Sequence, residues 1–424
     1  MAEQLQPVRG TRDLLPDECR KFRHLEETAA KVARLYGFDE IETPIFESSA
    51  VFKRTLGDTS DIVTKEMYAF KDLGGDELVL RPEGTAGVAR AFISEGLSQL
   101  TPLKLFYRGP MFRYERPQKG RYRQFYQMGV ELLGVEKPQA DIEVIALAHQ
   151  LLSRLPFQDE MKGTIKLHLN TIGDLESRTA YRDKLVAYLE TRKSELSKDS
   201  LDRLTRNPLR ILDSKDEGDK RVIADAPKFD ASLNEASKKF FEEVLAGLKR
   251  LNIPFIVDPL LVRGLDYYCH TVFEFTTTSL GSQNAVCSGG RYDNLISDLG
   301  GPKTAGVGWA CGIDRLVLMM KEVDLPEKPV AIVPMGDDAE AVAMNIAQIL
   351  RQTGVRVDMG YSGNMQKRMK RADKLGATHA LILGSSELER KVIQVKTLAS
   401  GEQREVALSD LPKFALELLE ERKR

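Results

Sequence analysis

The stretch that most constrains this chain is a pair of alternating runs around a basic loop. The first is Phe106-Tyr107-Arg108-Gly109-Pro110-Met111-Phe112-Arg113-Tyr114-Glu115, and the second is Gln124-Phe125-Tyr126-Gln127-Met128-Gly129-Val130-Glu131. Between them lies Arg116-Pro117-Gln118-Lys119-Gly120-Arg121-Tyr122-Arg123. Period-2 alternation on both sides of a polar turn predicts an antiparallel hairpin. Successive strand side chains point to opposite faces, so Met111, Arg113 and Glu115 share one face and Phe125, Gln127, Gly129 and Glu131 share another. Arginine, glutamine and glutamate at alternate positions do not build a dry core. The hairpin instead offers an arginine for a phosphate, an aromatic ring for a base, and amide and carboxylate groups for a small polar ligand. A solvated turn accounts for Arg108, Arg116 or Lys119 taken singly, but not for the whole block.

The rest of the chain supplies the surroundings. With 424 residues, 42% of them hydrophobic, it is long enough for two or three domains with real cores. The 62 Lys+Arg and 63 Asp+Glu balance to -1, which excludes a uniformly basic coat but not a local basic patch. A helix is expected from about Asp17 to Tyr36, carried by Phe22, Leu25, Ala29, Val32 and Ala33 and stopped by Gly37. Phe38 to Glu42 alternates like a strand, and the following Thr43-Pro44 means that it either leaves its sheet there or lies on an edge. Residues from about Leu78 to Leu133 read as antiparallel strands separated by a helix. Residues about 171–255 turn charged and helical in pattern, an insertion between two parts of a sheet. Strand character returns at Tyr267–Thr278 and Ser282–Cys287. The run Leu325-Pro326-Glu327-Lys328-Pro329 marks a linker, dividing the chain into 1–325 and 326–424. Beyond it, short apolar strands alternate with helices, predicting a small mixed or parallel sheet.

Familiar signatures are missing. There is no G-x-x-x-x-G-K-[ST], no H-E-x-x-H and no G-x-S-x-G. Gly306-Val307-Gly308-Trp309-Ala310-Cys311-Gly312 misplaces the third glycine of a dinucleotide fingerprint. Four scattered cysteines contain no C-x-x-C pair and are expected to be reduced and mostly buried. Five histidines stand singly, so no metal site is expected, and His24, His149, His168 and His379 read as surface or packing residues. No apolar run reaches membrane-spanning length, and the polar start leads us to expect a cytoplasmic protein without membrane contact.

Taken together, the remaining blocks resemble the class II aminoacyl-tRNA synthetases, and among them the histidyl-tRNA synthetase family. Gly37-Phe38 through Pro44-Ile45-Phe46 is similar to motif 1, and Phe112-Arg113-Tyr114-Glu115 through Phe125-Tyr126-Gln127 to motif 2. Gly308-Trp309-Ala310-Cys311-Gly312-Ile313-Asp314-Arg315-Leu316 is similar to motif 3, a strand feeding a helix that carries an arginine. Leu261-Val262-Arg263-Gly264-Leu265-Asp266-Tyr267-Tyr268, Ser288-Gly289-Gly290-Arg291-Tyr292-Asp293 and Arg81-Pro82-Glu83-Gly84-Thr85 resemble the blocks specific to the histidine enzymes. The resemblance implies an α+β fold. It comprises a class II catalytic domain, an antiparallel sheet flanked by helices, with the helical insertion and a C-terminal α/β anticodon-binding domain.

The implied substrates are L-histidine, ATP with Mg²⁺, and histidine tRNA, and the implied assembly is a homodimer. By resemblance, Arg113, Arg263 and Arg315 are catalytic: Arg113 and Arg263 flank the α-phosphate and Arg315 holds the γ-phosphate. Arginine suits these positions because it is always ionised and presents a planar fork of donors. Glu115, Arg121, Tyr122 and Phe125 are expected around the nucleotide, with Phe125 against adenine. Glu131 and Tyr268 are expected at the imidazole, and Glu83, Gly84, Thr85 and Gln127 at the α-amino group. Tyr267 and Tyr292 complete that pocket. Arg116, Gln118, Lys119 and Arg123 are expected near the tRNA acceptor end, and Lys367, Arg368, Lys370, Arg371 and Lys374 near its anticodon half. The sequence departs from the family pattern at Asp314, Tyr114 and Tyr126. Two rivals, a histidine-binding regulatory paralogue and an RNA-binding protein with a dead catalytic fold, both require loss of the arginine set. Deleting residues 326–424 is expected to reduce tRNA charging far more than ATP–pyrophosphate exchange. Equal losses in the two assays would contradict the division of labour.

Overall fold

The computed structural model describes residues 4–57, 60–161, 163–265, 267–280, 284–323 and 327–421. Asp266, Ser282, the Leu325-Pro326 part of the expected linker and the last three residues lie outside the described residues. In chain order the strands are β1 (Asp39–Glu40), β2 (Phe46–Ser48), β3 (Tyr68–Lys71), β4 (Glu77–Leu80), β5 (Leu103–Phe112), β6 (Gln124–Leu133), β7 (Lys166–Thr171) and β8 (Ile256–Val257). They continue with β9 (Cys269–Thr276), β10 (Ala285–Arg291), β11 (Gly306–Gly312), β12 (Val330–Pro334), β13 (Val357–Met359), β14 (His379–Leu383), β15 (Val392–Thr397) and β16 (Gln403–Ala407). The chain divides into two compact units, Met1–Val323 and Asp324–Arg424.

The first unit is built on an eight-stranded sheet of order β1-β5-β6-β11-β10-β9-β7-β8. The pairings β1–β5 and β7–β8 at its two edges are parallel, and the interior ones are antiparallel. The expected hairpin is β5–β6, in a register that pairs Met111 with Phe125 and Gly109 with Gln127. Pro110 is tolerated within β5 because β1 covers that edge only at Leu105 and Phe106. A second small sheet, β2-β4-β3, leads into the helix Thr85–Ser94.

The helix Pro16–Leu35 starts with Pro in its first turn, carries Asp17 and Glu18 there, and has Arg34 in its last turn, matching the helix dipole. Its buried stripe, including Phe22, Leu25, Val32 and Ala33, is the one read from the sequence. With the helices Pro138–Arg154 and Glu235–Arg250 it contributes to a core that also contains Phe273, Trp309 and Leu316. Trp309 donates its indole N–H to the Val144 carbonyl (3.0 Å), so its burial leaves no orphan donor. The helical insertion follows β7 with helices Leu175–Thr191, Lys198–Arg206 and Glu217–Ala224. The next helix, Glu235–Arg250, instead buries Val244 and Leu248 in the catalytic core. The sequence pattern does not separate it from the insertion, because amphipathicity reports that a face is buried, not against what.

Arg291, fully buried, is bonded by the carboxylate of Asp141, by Asp293 (3.0 Å) and by the Val135 carbonyl (3.0 Å). It stitches β10 to the helix Pro138–Arg154. In the second unit β12, β13 and β14 run parallel while β15 and β16 add antiparallel edges. The mixed sheet fits the sequence expectation, but β15 and β16 go beyond it. Asp141→Ala removes the fully buried partner of Arg291 and leaves it only the part-exposed Asp293, so it is expected to cost about 3–5 kcal/mol. Arg291→Met combined with Asp141→Leu is expected to recover most of that loss. Urea unfolding of both variants checks the pair.

Candidate active site

The cavity floor is the face of the large sheet opposite the helices. Ala310 and Gly312 on β11 and Ser288 on β10 leave room above the strands, whereas a Cβ on Gly129 or Gly290 would overlap Tyr107 or Tyr268. At Gly308 the space is already taken: a Cβ would overlap the Glu131 carboxylate. Walls rise from the β5–β6 hairpin, the Thr85–Ser94 helix and the segment 261–268. Together they enclose about 410 Å³. Arg113, Arg263 and Arg315 all line this one cavity, as do Glu83, Thr85, Glu115, Arg121, Tyr122, Phe125, Gln127, Tyr267, Tyr268 and Tyr292. Gly84 and Glu131 sit just behind the wall: a Cβ on Gly84 would overlap the Tyr107 ring, and Glu131 is buried under Gly308.

One end is polar and dry. Glu83 accepts from the backbone N–H groups of Thr85 (2.7 Å) and Ala86 (2.8 Å), capping the helix with a buried carboxylate. Burial raises its pKa above the ordinary value, opposed by those bonds and by Arg113. Glu131 accepts from the Thr85 hydroxyl (2.7 Å) and the Tyr292 hydroxyl. Burial, with the neighbouring Glu83 charge, pushes it up to about 8 despite those bonds. Tyr267 lies 4.5 Å from Tyr268 and 5.6 Å from Tyr292, ring centre to ring centre. The side-chain oxygen of Gln127 and the hydroxyl of Tyr107 are buried without a hydrogen-bond partner. Native interiors seldom leave such atoms unpaired unless a ligand completes them.

The other end is cationic. Arg113 donates to the Pro82 carbonyl (2.8 Å) and lies 5.3 Å from the centre of the Phe125 ring, while Glu115 pairs with Arg121. Arg263 pairs with Glu274, and its Nε is buried and unpartnered. Burial opposes the Arg263 charge, but Glu274 and the tyrosines outweigh it and raise the pKa. Arg315 donates to the Ala285 carbonyl (2.7 Å). For Arg113 burial, and for Arg315 burial with the nearby Arg121 and Arg113, lowers the pKa from the ordinary arginine value. Each guanidinium is aimed by a backbone carbonyl or an acid, yet together they remain an anion site.

Several contributors escaped sequence reading. Asp314 does not orient Arg315 through an ion pair: it accepts from Arg12 (2.9 Å) and from the Tyr126 backbone N–H (2.7 Å). Arg12 also pairs with Glu18 and lies 4.4 Å from the centre of the Tyr122 ring, strapping the start of the chain across the nucleotide loop. Glu274, Asp213 and Lys215 line the cavity as well. Glu274 was signalled by a charge inside the apolar alternation Phe273-Glu274-Phe275, whereas Arg12 and Lys215 carry no local mark.

Two residues expected at RNA are committed elsewhere. Arg368 is buried, donating to the carbonyls of Pro334 and Gly363 (2.8 Å) and pairing with Glu340 (2.6 Å); it anchors its helix to β12. Arg123 lies 3.7 Å from the centre of the Tyr114 ring, and its backbone N–H donates to the Gly10 carbonyl (2.7 Å), holding the strap. Lys367, Lys370, Arg371 and Lys374 are exposed, with Arg371 forked onto Asp358, and Arg116, Gln118 and Lys119 are exposed on their loop. His24, His149, His168 and His379 lie away from the cavity wall. Among the described residues no cluster of three or more His, Cys, Asp or Glu side chains is arranged to hold a metal ion.

An antiparallel sheet flanked by helices, with a cavity joining guanidinium groups to a dry polar pocket, is the architecture of a class II aminoacyl-tRNA synthetase. The histidyl-tRNA synthetase family model matches residues 10–316, and an anticodon-binding domain model matches residues 329–418. The histidine–tRNA ligase of Rhodospirillum rubrum is 59% identical over 98% of this chain and 99% of its own length. That of Gluconacetobacter diazotrophicus is 52% identical over 95% of this chain and 96% of its own. The apo histidyl-tRNA synthetase of S. aureus superposes with a TM-score of 0.80 at 37% identity, covering 97% of this chain and 99% of that one. The chain belongs to the histidyl-tRNA synthetase family.

The raised Glu131 pKa fixes a pH dependence. In the unfolded chain the proton leaves near the ordinary glutamate value, and in the folded protein at about 8. The associated stability is therefore complete below the ordinary value and is lost as pH rises through about 8. Glu131→Gln is expected to flatten that fall in urea midpoints measured without ligand. Identical pH profiles for the two proteins would contradict it.

Proposed function

We propose that this protein is an ATP-dependent ligase that activates L-histidine as histidyl-adenylate and passes the histidyl group to the 3′-terminal adenosine of histidine tRNA. The observation that carries this reading is the convergence of Arg113, Arg263 and Arg315 on the cavity that also holds the unpaired Gln127 oxygen. The α-ammonium group of an amino acid supplies the donor that Gln127 lacks, with Glu83 adding negative charge. The imidazole ring has one donor and one acceptor nitrogen. Glu131, through its hydroxyl partners, and Tyr268 provide complementary groups, and Tyr267 and Tyr292 enclose the ring. A site that pairs both ring nitrogens rejects analogues that lack them, because its own buried groups would be left unpaired.

In the first step a carboxylate oxygen of histidine attacks the α-phosphorus of ATP. The bond to the β-phosphate oxygen breaks and pyrophosphate leaves with its electron pair. Two anions must approach, and negative charge builds on the α-phosphoryl oxygens. Arg113 and Arg263 flank that group and Arg315 takes the γ-phosphate, so stabilisation is fixed in place before reaction. Arg121, Glu115, Tyr122 and Phe125 bound the nucleotide, which enters as its Mg²⁺ complex. In the second step a ribose hydroxyl of the terminal adenosine attacks the carbonyl carbon of the adenylate, and AMP departs.

Exposed Arg116, Gln118 and Lys119 support contact with the acceptor end, and exposed Lys367, Lys370 and Lys374 support contact with the anticodon half. Ile45, Phe46 and Phe70, exposed around the small sheet, support homodimer formation. Among the described residues no helix is long and apolar enough to cross a membrane, and we place the reaction in the cytoplasm. The regulatory-paralogue reading is disfavoured by the intact arginine set. In an ATP–pyrophosphate exchange assay with a panel of amino acids, only histidine is expected to support turnover. Arg263→Ala is expected to lower exchange by roughly 10²–10³-fold while histidine binding persists. Near-full exchange by that variant would remove the assigned role.

A further inference from the structure

The helical insertion reaches into the activation centre as well as outward. The segment from Leu261 to Tyr268 carries Arg263, Tyr267 and Tyr268, and its described residues lie in neither helix nor strand. Among the described residues, its carbonyls are held by side chains. Leu261 accepts from Asn170 (2.9 Å), Gly264 from Arg210 (2.5 Å) and Tyr268 from Arg178 (3.2 Å). Arg178 and Arg210 both belong to the insertion.

The Arg210 contact is built on both sides. Its flanking Leu209, Ile211 and Leu212 are buried, so the short turn Pro208–Asp213 is anchored in the insertion core. Arg210 is the residue of this turn that reaches toward the catalytic segment. Asp61 lies 3.9 Å from it and 4.0 Å from Arg203, opposite in charge to both. A Cβ on Gly264 would lie 2.5 Å from the Arg210 guanidinium, so a side chain there would push the arginine head off its carbonyl. Downstream, Asp219 accepts from Ser197 and Ser200 (2.6 Å) and from Ser214 (2.6 Å), fixing the turn that brings Lys215 to the cavity rim.

We infer that Arg210 is a positioning residue that holds the Arg263–Gly264 backbone in register with the nucleotide site, while Arg178 does the same for Tyr268 at the amino-acid pocket. The inference rests on the activation chemistry proposed above. Among the described residues, the Arg263 side chain is otherwise held by Glu274 and by the Tyr268 ring 5.9 Å away, and neither contact fixes its backbone. Fixing the adjacent carbonyl removes backbone freedom where a displacement of one ångström matters most. The two anchors act on different substrates because one grips the backbone beside Arg263 and the other the carbonyl of Tyr268.

The test is steady-state exchange by the full-length protein carrying Arg210→Ala, Arg210→Lys or Arg178→Ala, with thermal melting of each. Arg210→Ala is expected to lower kcat by about 10–100-fold with the histidine KM changed less than about twofold. Arg210→Lys, which keeps a donor in reach, is expected to recover part of the loss. Arg178→Ala is expected to raise the histidine KM with the smaller effect on kcat. A kcat within about twofold of wild type for Arg210→Ala overturns the inference. So does an Arg210→Lys variant no better than Arg210→Ala, or one pattern shared by the Arg178 and Arg210 variants, which is the mark of a merely structural role. Absence of histidine-dependent exchange in the wild-type protein would instead defeat the proposed function itself.

Discussion

The cationic end of the cavity is an electrostatic debt. Arg113, Arg121, Arg263 and Arg315 line one partly buried space, where each disfavours the charge of the next. Such a cluster persists because every guanidinium is tied to an acid or a carbonyl: Pro82, Glu115, Glu274 and Ala285 hold them in turn. Those ties compensate part of the charge and fix direction. What is left over is a shaped positive potential that a triphosphate neutralises. Water at high dielectric would blunt the same charges, so the walls matter as much as the arginines.

The amino-acid end follows the opposite rule. Glu83 and Glu131 are carboxylates placed where burial disfavours ionisation, and hydrogen bonds from Thr85, Ala86 and Tyr292 make that burial tolerable. The floor between the two ends is built of small residues: Ser288, Ala310 and Gly312 leave the cavity open, while Gly129 and Gly308 make room for the Tyr107 and Glu131 side chains packed against them. A single strand pairing, β6 with β11, sets Gly308 opposite Glu131 and Gly312 opposite Gln127. The register of the sheet thus decides the geometry of both ends at once. A one-residue slip would turn the polar face of β6 into the core.

The parts legible in the sequence are those governed by local periodicity. The Pro16–Leu35 helix declared its buried face, and the β5–β6 hairpin declared the face that lines the cavity. What stayed hidden depends on partners far along the chain. Arg12 looks like any charge near the start until Asp314 and Tyr122 are placed beside it. Arg368 is indistinguishable from Lys367 in a basic helix, yet one lies against β12 and the other faces solvent. Asp314, where the sequence departs from the family pattern, serves the strap and the hairpin rather than its neighbour Arg315.

The central claim is that these arginines grip one bent triphosphate beside a bound amino acid. A crystal structure of the protein with ATP and histidinol, the alcohol that cannot react, tests it most directly. The expected result has the α-phosphate between Arg113 and Arg263, the γ-phosphate on Arg315 and the ammonium group on the Gln127 oxygen. A triphosphate lying outside the cavity, or one that leaves Arg263 paired to Glu274 alone, would contradict it.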